Sequence, residues 1–237
     1  MLEIIPISKR EEDVDVDTDK KFYIDNSIGD SIAKKYNYAI ENIVLKSNEQ
    51  NICFRHKDSY IAVPYDIVEY KLTKRFENYR IGICGLIGTS ALDKTCTWWS
   101  GVKSAGGRKT YGEGAIIQGD ITNNCGLVEY PMIEHPGVYD HLATVDGCCM
   151  FFPRRVFEEG LRFDETLTDY HFYDTDICLQ LLERGYKVST IDLKVKHYSV
   201  GKPPANFEDL RKVFFAKWDK KVHGEWPISR LSKFYKD

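Results

Sequence analysis

Residues 171–191, HFYDTDICLQLLERGYKVSTI, constrain the fold more than any other stretch of this chain. Ile177, Leu181 and Leu182 recur at helical spacing, so the segment is a short helix with one buried face. Asp174 and Asp176 fall in its first turn, where the partial positive charge of the helix end favours carboxylates. Gly185 stands where a glycine ends a helix, and Tyr186–Ile191 then reads as a strand. A helix leading straight into a strand is the repeating unit of layered α/β folds. A carboxylate fixed at a rigid helix start among aromatics suits a general base. The same aspartates also suit plain helix capping.

An earlier segment has the complementary order. Lys20–Ile24 is a strand, residues 25–30 (DNSIGD) form a polar turn, and Ile32, Tyr36, Ala39, Ile40 and Ile43 mark a helix over Ser31–Asn42. This is half of a βαβ unit, and open α/β sheets bind ligands at such strand ends. Asp25 and Asn26 serve there either as ligand contacts or as an Asx turn and cap. Asn51–Val63 is a strand broken by polar residues at His56–Ser59. Pro64–Tyr79 is a helix with Ile67, Val68, Leu72 and Phe76 on one face, and Arg80–Gly88 is a buried strand. The glycines of that strand make no phosphate loop, because no Lys-Ser/Thr pair follows. Gly112–Tyr130 reads as a hairpin turning at Asp120 and Asn123–Asn124. The acidic run Glu11–Asp19 lacks the glycine and glutamate of a calcium loop and reads as a solvated loop. Residues 206–237 form a helical extension with Phe207, Leu210, Phe214, Phe215, Trp218 and Val222 at helical spacing, expected to pack over the site edge.

Composition narrows the function classes. A net charge of −3 and a pI near 6.1 argue against a nucleic-acid binder. No apolar run approaches the ~20 residues that span a bilayer, and the first residues lack the basic start of a signal peptide. The seven cysteines sit mostly in apolar segments (Cys53, Cys84, Cys148, Cys149, Cys178), as buried reduced thiols do. The expectation is a cytoplasmic protein of one domain over residues 1–237.

Five motifs occur in a telling order: VDGCCMFFPRRV at 145–156, GLRFDE at 160–165, HFYDTD at 171–176, RGYKV at 184–188, and VKHYSVG at 195–201. Together they resemble the second half of family-2-like glycosyltransferases of the GT-A fold. The resemblance implies an α/β fold: a GT-A-like, Rossmann-type mixed sheet flanked by helices, in a single domain. It implies transfer of a hexose-like sugar from a nucleoside diphosphate donor, UDP-sugar foremost, to the hydroxyl of an unidentified acceptor, with inversion at the sugar carbon. The turn at 25–30 resembles the family's acidic turn, which puts Asp25 or Asn26 against base or ribose; Tyr36–Asn37 resembles its Y-N pair. His56-Lys57-Asp58 resembles the relaxed H-x-D metal motif, implying Mn²⁺ or Mg²⁺ held by Asp58 with His197, and His56 and Lys57 facing the donor. Lys57 also offers a charge in place of the metal. The loop Cys96–Gly107 resembles the family's tryptophan-rich loop; Trp98 and Trp99 either stack on a sugar or bury the loop. Asp146 is the expected contact for donor sugar or acceptor, Asp174 the base, and Asp176 a further donor-side carboxylate. Asp164 and Glu165 are expected to anchor a turn.

Two departures keep a second reading open: Tyr173 stands at the family's glutamate position, and Lys57 is beside Asp58. A non-catalytic nucleotide-binding or scaffold protein of the same fold would tolerate both. A nucleotidyltransferase would carry a glycine-rich basic signature after the first strand, where this chain is acidic.

Overall fold

The computed structural model describes residues 1–8, 20–100, 112–120, 128–135, 137–199, 203–224, 226 and 228–229. The acidic run at 11–19, the hairpin tip at Asn123–Asn124 and residues 101–107 of the tryptophan-rich loop lie outside them. Leu2–Pro6 (β1) is apolar apart from Glu3 and wholly buried, as a strand covered on both faces is. It pairs in parallel with Lys21–Ile24 (β2) on one side and Asn51–Arg55 (β3) on the other. Between β2 and β3 runs Ile32–Asn42 (α1), whose first turn is capped by Ser31 Oγ accepting from Lys34 N–H.

The main sheet continues through Cys149–Pro153 (β11), antiparallel to β3, to Ile81–Gly85 (β5) and Lys187–Thr190 (β12). Its order is therefore β12-β5-β11-β3-β1-β2. Side chains alternate between two cores: Ile52, Phe54, Met150 and Phe152 face one, Cys53, Cys149 and Phe151 the other. Tyr65–Phe76 (α2) covers the second core with Val68, Leu72 and Phe76, whereas Ile67, expected on that face, is 43% exposed. Arg155–Glu158 (α3), Tyr173–Glu183 (α4) and Phe207–Val222 (α5) cover the first, and α5 buries Leu210, Phe214, Trp218 and Val222 as its spacing predicts. The helix expected over 206–237 stops at Val222, before the left-handed His223, and Ile228–Ser229 (β14) pairs as a strand with Ala91–Leu92 (β7). Six cysteines of the described residues are buried and unpaired, as expected of thiols in apolar segments.

A second sheet was not foreseen. It orders Thr144–Val145 (β10), Ile87–Thr89 (β6), Gly112–Asp120 (β8), Val195–His197 (β13) and Ser59–Ile61 (β4), with Val128–His135 (β9) pairing on β8 as the expected hairpin. Strands read from sequence as single runs cross from one sheet to the other. Arg80–Gly88 divides into β5 and β6 around Leu86, and Asn51–Val63 into β3 and β4. The first crossing needs small residues, since a Cβ on Gly88 would collide with the Thr144 carbonyl. His56–Asp58 occupy the second crossing, and Asp146–Cys148 a third, between β10 and β11. The seam between the sheets thus gathers the motifs.

Candidate active site

Strand register assembles the seam. His197 ends β13 opposite Ser59 of β4, which sets it beside the residue before Ser59. Its Nε2 lies 3.5 Å from Asp58 Oδ1, too long for a hydrogen bond, and neither ring nitrogen has a hydrogen-bond partner among the described residues although both are buried. Burial alone would lower the His197 pKa; Asp58 and Asp146 outweigh it and hold it above the ordinary value. Burial pushes His56 the other way, down to about 4, reinforced by His197.

Arg55, which the sequence reading passed over, braces this turn. Its guanidinium pairs with Glu3 of β1 at 2.6 Å, both side chains buried, and donates to the carbonyls of Ser59 (2.7 Å) and His56 (3.3 Å). A buried charge pair that also binds two carbonyls holds the loop rigidly.

The third crossing is locked from α4. Phe172, just before the helix, has φ +67°, a left-handed conformation that costs a bulky residue ~1–2 kcal/mol. Phe172 is held there by its packing on Phe207 and Phe214, ring centroids 4.9 and 5.5 Å away. That turn aims Tyr173 and Asp174 at Gly147. Asp174 Oδ2 accepts from Gly147 N–H (3.0 Å), and Oδ1 from Thr175 N–H (2.8 Å). Each oxygen keeps a further lone pair. Burial first, and the Asp146 charge second, push the Asp174 carboxyl up to about 7. Tyr173 Oη donates to the Gly147 carbonyl (3.0 Å) and lies 2.6 Å from His56 Nε2. Burial raises its pKa well above the ordinary value, so it is a hydroxyl.

The glycine of the D-G motif is required here by space. A Cβ on Gly147 would overlap the Tyr173 hydroxyl and stand 2.9 Å from Asp174 Cβ. Gly147→Ala is expected to destabilise the fold by ~1–3 kcal/mol through overpacking. Calorimetry checks this, and an unchanged melting temperature would contradict the contact.

The other expected residues divide. Asp146 sits half-buried in the seam, Oδ1 accepting from Cys148 N–H (3.0 Å). Asp25 and Asn26 follow β2 on the carboxyl edge that also carries His56. Asp25 makes the Asx turn, accepting from Ser27 N–H (2.9 Å) and Oγ (2.5 Å), while Asn26 is exposed. Lys57 is half-buried beside Asp58. Trp98 is buried; Trp99 meets His171 edge-on at 6.2 Å and lines a groove of about 810 Å³ with Asp93, Phe207, Arg211 and Trp226. Asp176 is not brought to the seam. It is fully buried, accepting from Lys217 Nζ (2.6 Å), Trp218 Nε1 (2.9 Å) and Gln180 Nε2 (2.7 Å), and so fastens α5 to α4. Asn37 clasps Phe163 through both backbone groups and Glu165 through its carboxylate, and Asp164 accepts from Thr166, so these residues anchor the turn as expected.

Two groups of side chains have ligand atoms close enough to hold one metal ion: His56, Asp58 and His197, and Asp146, Cys148 and His197, each within 4.8 Å. The first fits a divalent cation better. Burial pushes the Cys148 thiol well up, and a thiol must lose its proton to ligate. One unpartnered nitrogen of His197 is what a cation would satisfy, since a buried orphan polar group costs ~1–3 kcal/mol.

The glycosyltransferase like family matches residues 12–218, from before β2 into α5. The chain belongs to this family. Among solved structures, this family member is similar to GalNAc-T7 with UDP, GalNAc and Mn²⁺, with a TM-score of 0.52 and 13% identity over 86% of this chain and 39% of that one. It is also similar to A197 from STIV, with a TM-score of 0.43 and 11% identity over 84% and 85% of the two chains. At such identities the likeness is one of fold, and the GT-A-like mixed sheet flanked by helices is the observed architecture. No curated protein sequence matches. No helix of the described residues is long and apolar enough to cross a membrane.

Proposed function

We propose that this glycosyltransferase-like chain moves a sugar from a nucleoside diphosphate, UDP foremost, to an acceptor hydroxyl, with a divalent cation, Mn²⁺ or Mg²⁺, and inversion at the reacting carbon. The observation that carries the reading is the seam itself. Two loop crossings, one helix start and the end of β13 converge there, bringing His56, Asp58, Asp146, Asp174 and His197 together from four separate segments. The UDP and Mn²⁺ held by the GalNAc-T7 structure support the donor class and the cation.

In this proposal Asp174 takes the acceptor proton as attack begins. Its carboxyl, raised to about 7, is poised for a base working near neutrality. Asp146 orients sugar hydroxyls, and Asp25 and Asn26 hold the nucleoside at the carboxyl edge of β2. His56, Asp58 and His197 hold the cation, which when bound neutralises charge on the departing diphosphate. Trp99 and its groove receive the acceptor side. A single displacement by the hydroxyl inverts the sugar carbon, so the product anomer is opposite to the donor's.

Asp58→Ala is expected to weaken UDP binding about tenfold or more in Mn²⁺, on the scale of losing a charge-assisted contact. Its affinity in EDTA should match that of the unaltered protein. Titration calorimetry reads both, and an unchanged response to the cation would remove Asp58 from the ligand set.

A further inference from the structure

Tyr173 stands where the glutamate of the resembled motif is expected, and its hydroxyl has two neighbours rather than one. Both contacts are hydrogen bonds only if the hydroxyl gives its single proton to the Gly147 carbonyl at 3.0 Å, which can only accept. His56 Nε2, at 2.6 Å from the same oxygen, must then donate, because two facing lone pairs at that distance repel. A neutral imidazole with its proton on Nε2 carries its lone pair on Nδ1.

We infer that Tyr173 is a positioning residue that locks His56 in the Nε2–H tautomer, leaving Nδ1 as the nitrogen through which His56 binds the cation. The inference rests on the cation-assisted reading above and adds to it the identity of the ligating atom and of the group that selects it. The relay runs from the Gly147 carbonyl through the Tyr173 hydroxyl to His56. It ties the loop carrying Asp146 to the loop carrying Asp58 through Tyr173, which stands 117 residues after His56. Tyr173 itself touches neither cation nor donor. It acts as the carboxylate or carbonyl behind a metal-bound histidine usually does, by fixing tautomer and ring orientation. Its geometry is enforced from both sides: Gly147 leaves no room for the ring to shift, and the left-handed turn at Phe172 sets its entry.

The tautomer can be read directly, without any variant, from two-bond proton–nitrogen couplings of the ¹⁵N-labelled histidine rings in the cation-free protein. His56 is expected as the Nε2–H form, and an Nδ1–H form would overturn the proposal. In parallel, Mn²⁺ binding is followed by electron paramagnetic resonance for the unaltered protein and Tyr173→Phe, which keeps the ring and removes the hydroxyl. The variant is expected to stay folded and bind Mn²⁺ ~10–100-fold more weakly, the range for losing an outer partner of a ligating histidine. Equal Mn²⁺ affinity in a folded Tyr173→Phe would overturn the proposal as well. Failure of the unaltered protein to bind Mn²⁺ would overturn the cation reading itself and the ligand role of Nδ1 with it. That result is distinct from equal binding by the two proteins.

Discussion

Asp174→Asn is expected to leave the chain folded and its UDP affinity intact while lowering sugar transfer by ~10²–10⁴-fold, the worth of a general base. Asparagine keeps the shape and one oxygen for Gly147 N–H, but it cannot take a proton. The pH profile separates this from a packing defect. In the unaltered protein, transfer should rise with pH through an inflection near 7, as the raised carboxyl ionises. The variant should lack that inflection. Stability moves oppositely. Between ~4, the unfolded value, and about 7, the folded state binds more protons than the unfolded chain. Stability therefore falls as pH rises across that window. Asp174→Asn should lose this slope too. Denaturant melts at pH 5 and 8 check it; full activity in the variant would remove Asp174 from the chemistry.

Asp176→Ala is the largest stability effect expected. It leaves Trp218 Nε1 buried without an acceptor and takes one of two carboxylates from Lys217, which keeps Asp164. Breaking a buried pair costs roughly 3–5 kcal/mol. The lower end applies because Lys217 is 25% exposed and retains a partner. For a domain of this size that lowers the melting temperature by roughly 6–12 °C. Asp176→Asn, still able to accept from Trp218, should lose about half as much. A donor-binding role would give the reverse pattern, lost transfer at unchanged melting temperature, and that result would restore Asp176 to the site.

These two aspartates show what was legible in the sequence. They sit two apart on one helix start, so spacing and helix-end electrostatics treat them alike. A two-residue step on a helix turns the side chain by ~200°, and the fold sends one to the seam and the other to α5. Asp176 owes its partners to Lys217 and Trp218, some forty residues on, and no local pattern announces them. Helix and strand positions followed from apolar periodicity because periodicity is local. The crossings between sheets did not, because a polar break such as His56–Ser59 reads the same whether the chain bends within a sheet or leaves it. Ordered motifs were sufficient for family and fold class. Tyr173 registered only as a departure; its hydroxyl became informative once Gly147 and His56 were beside it.

The most direct test of the account is a thermal-shift series with UDP, GDP, CDP and dTDP, each in Mn²⁺, Mg²⁺ or EDTA. A ligand that binds the folded state alone must raise its melting temperature. The account predicts a rise with UDP that needs the cation and is lost in EDTA. No rise with any nucleotide, in either cation, would contradict it.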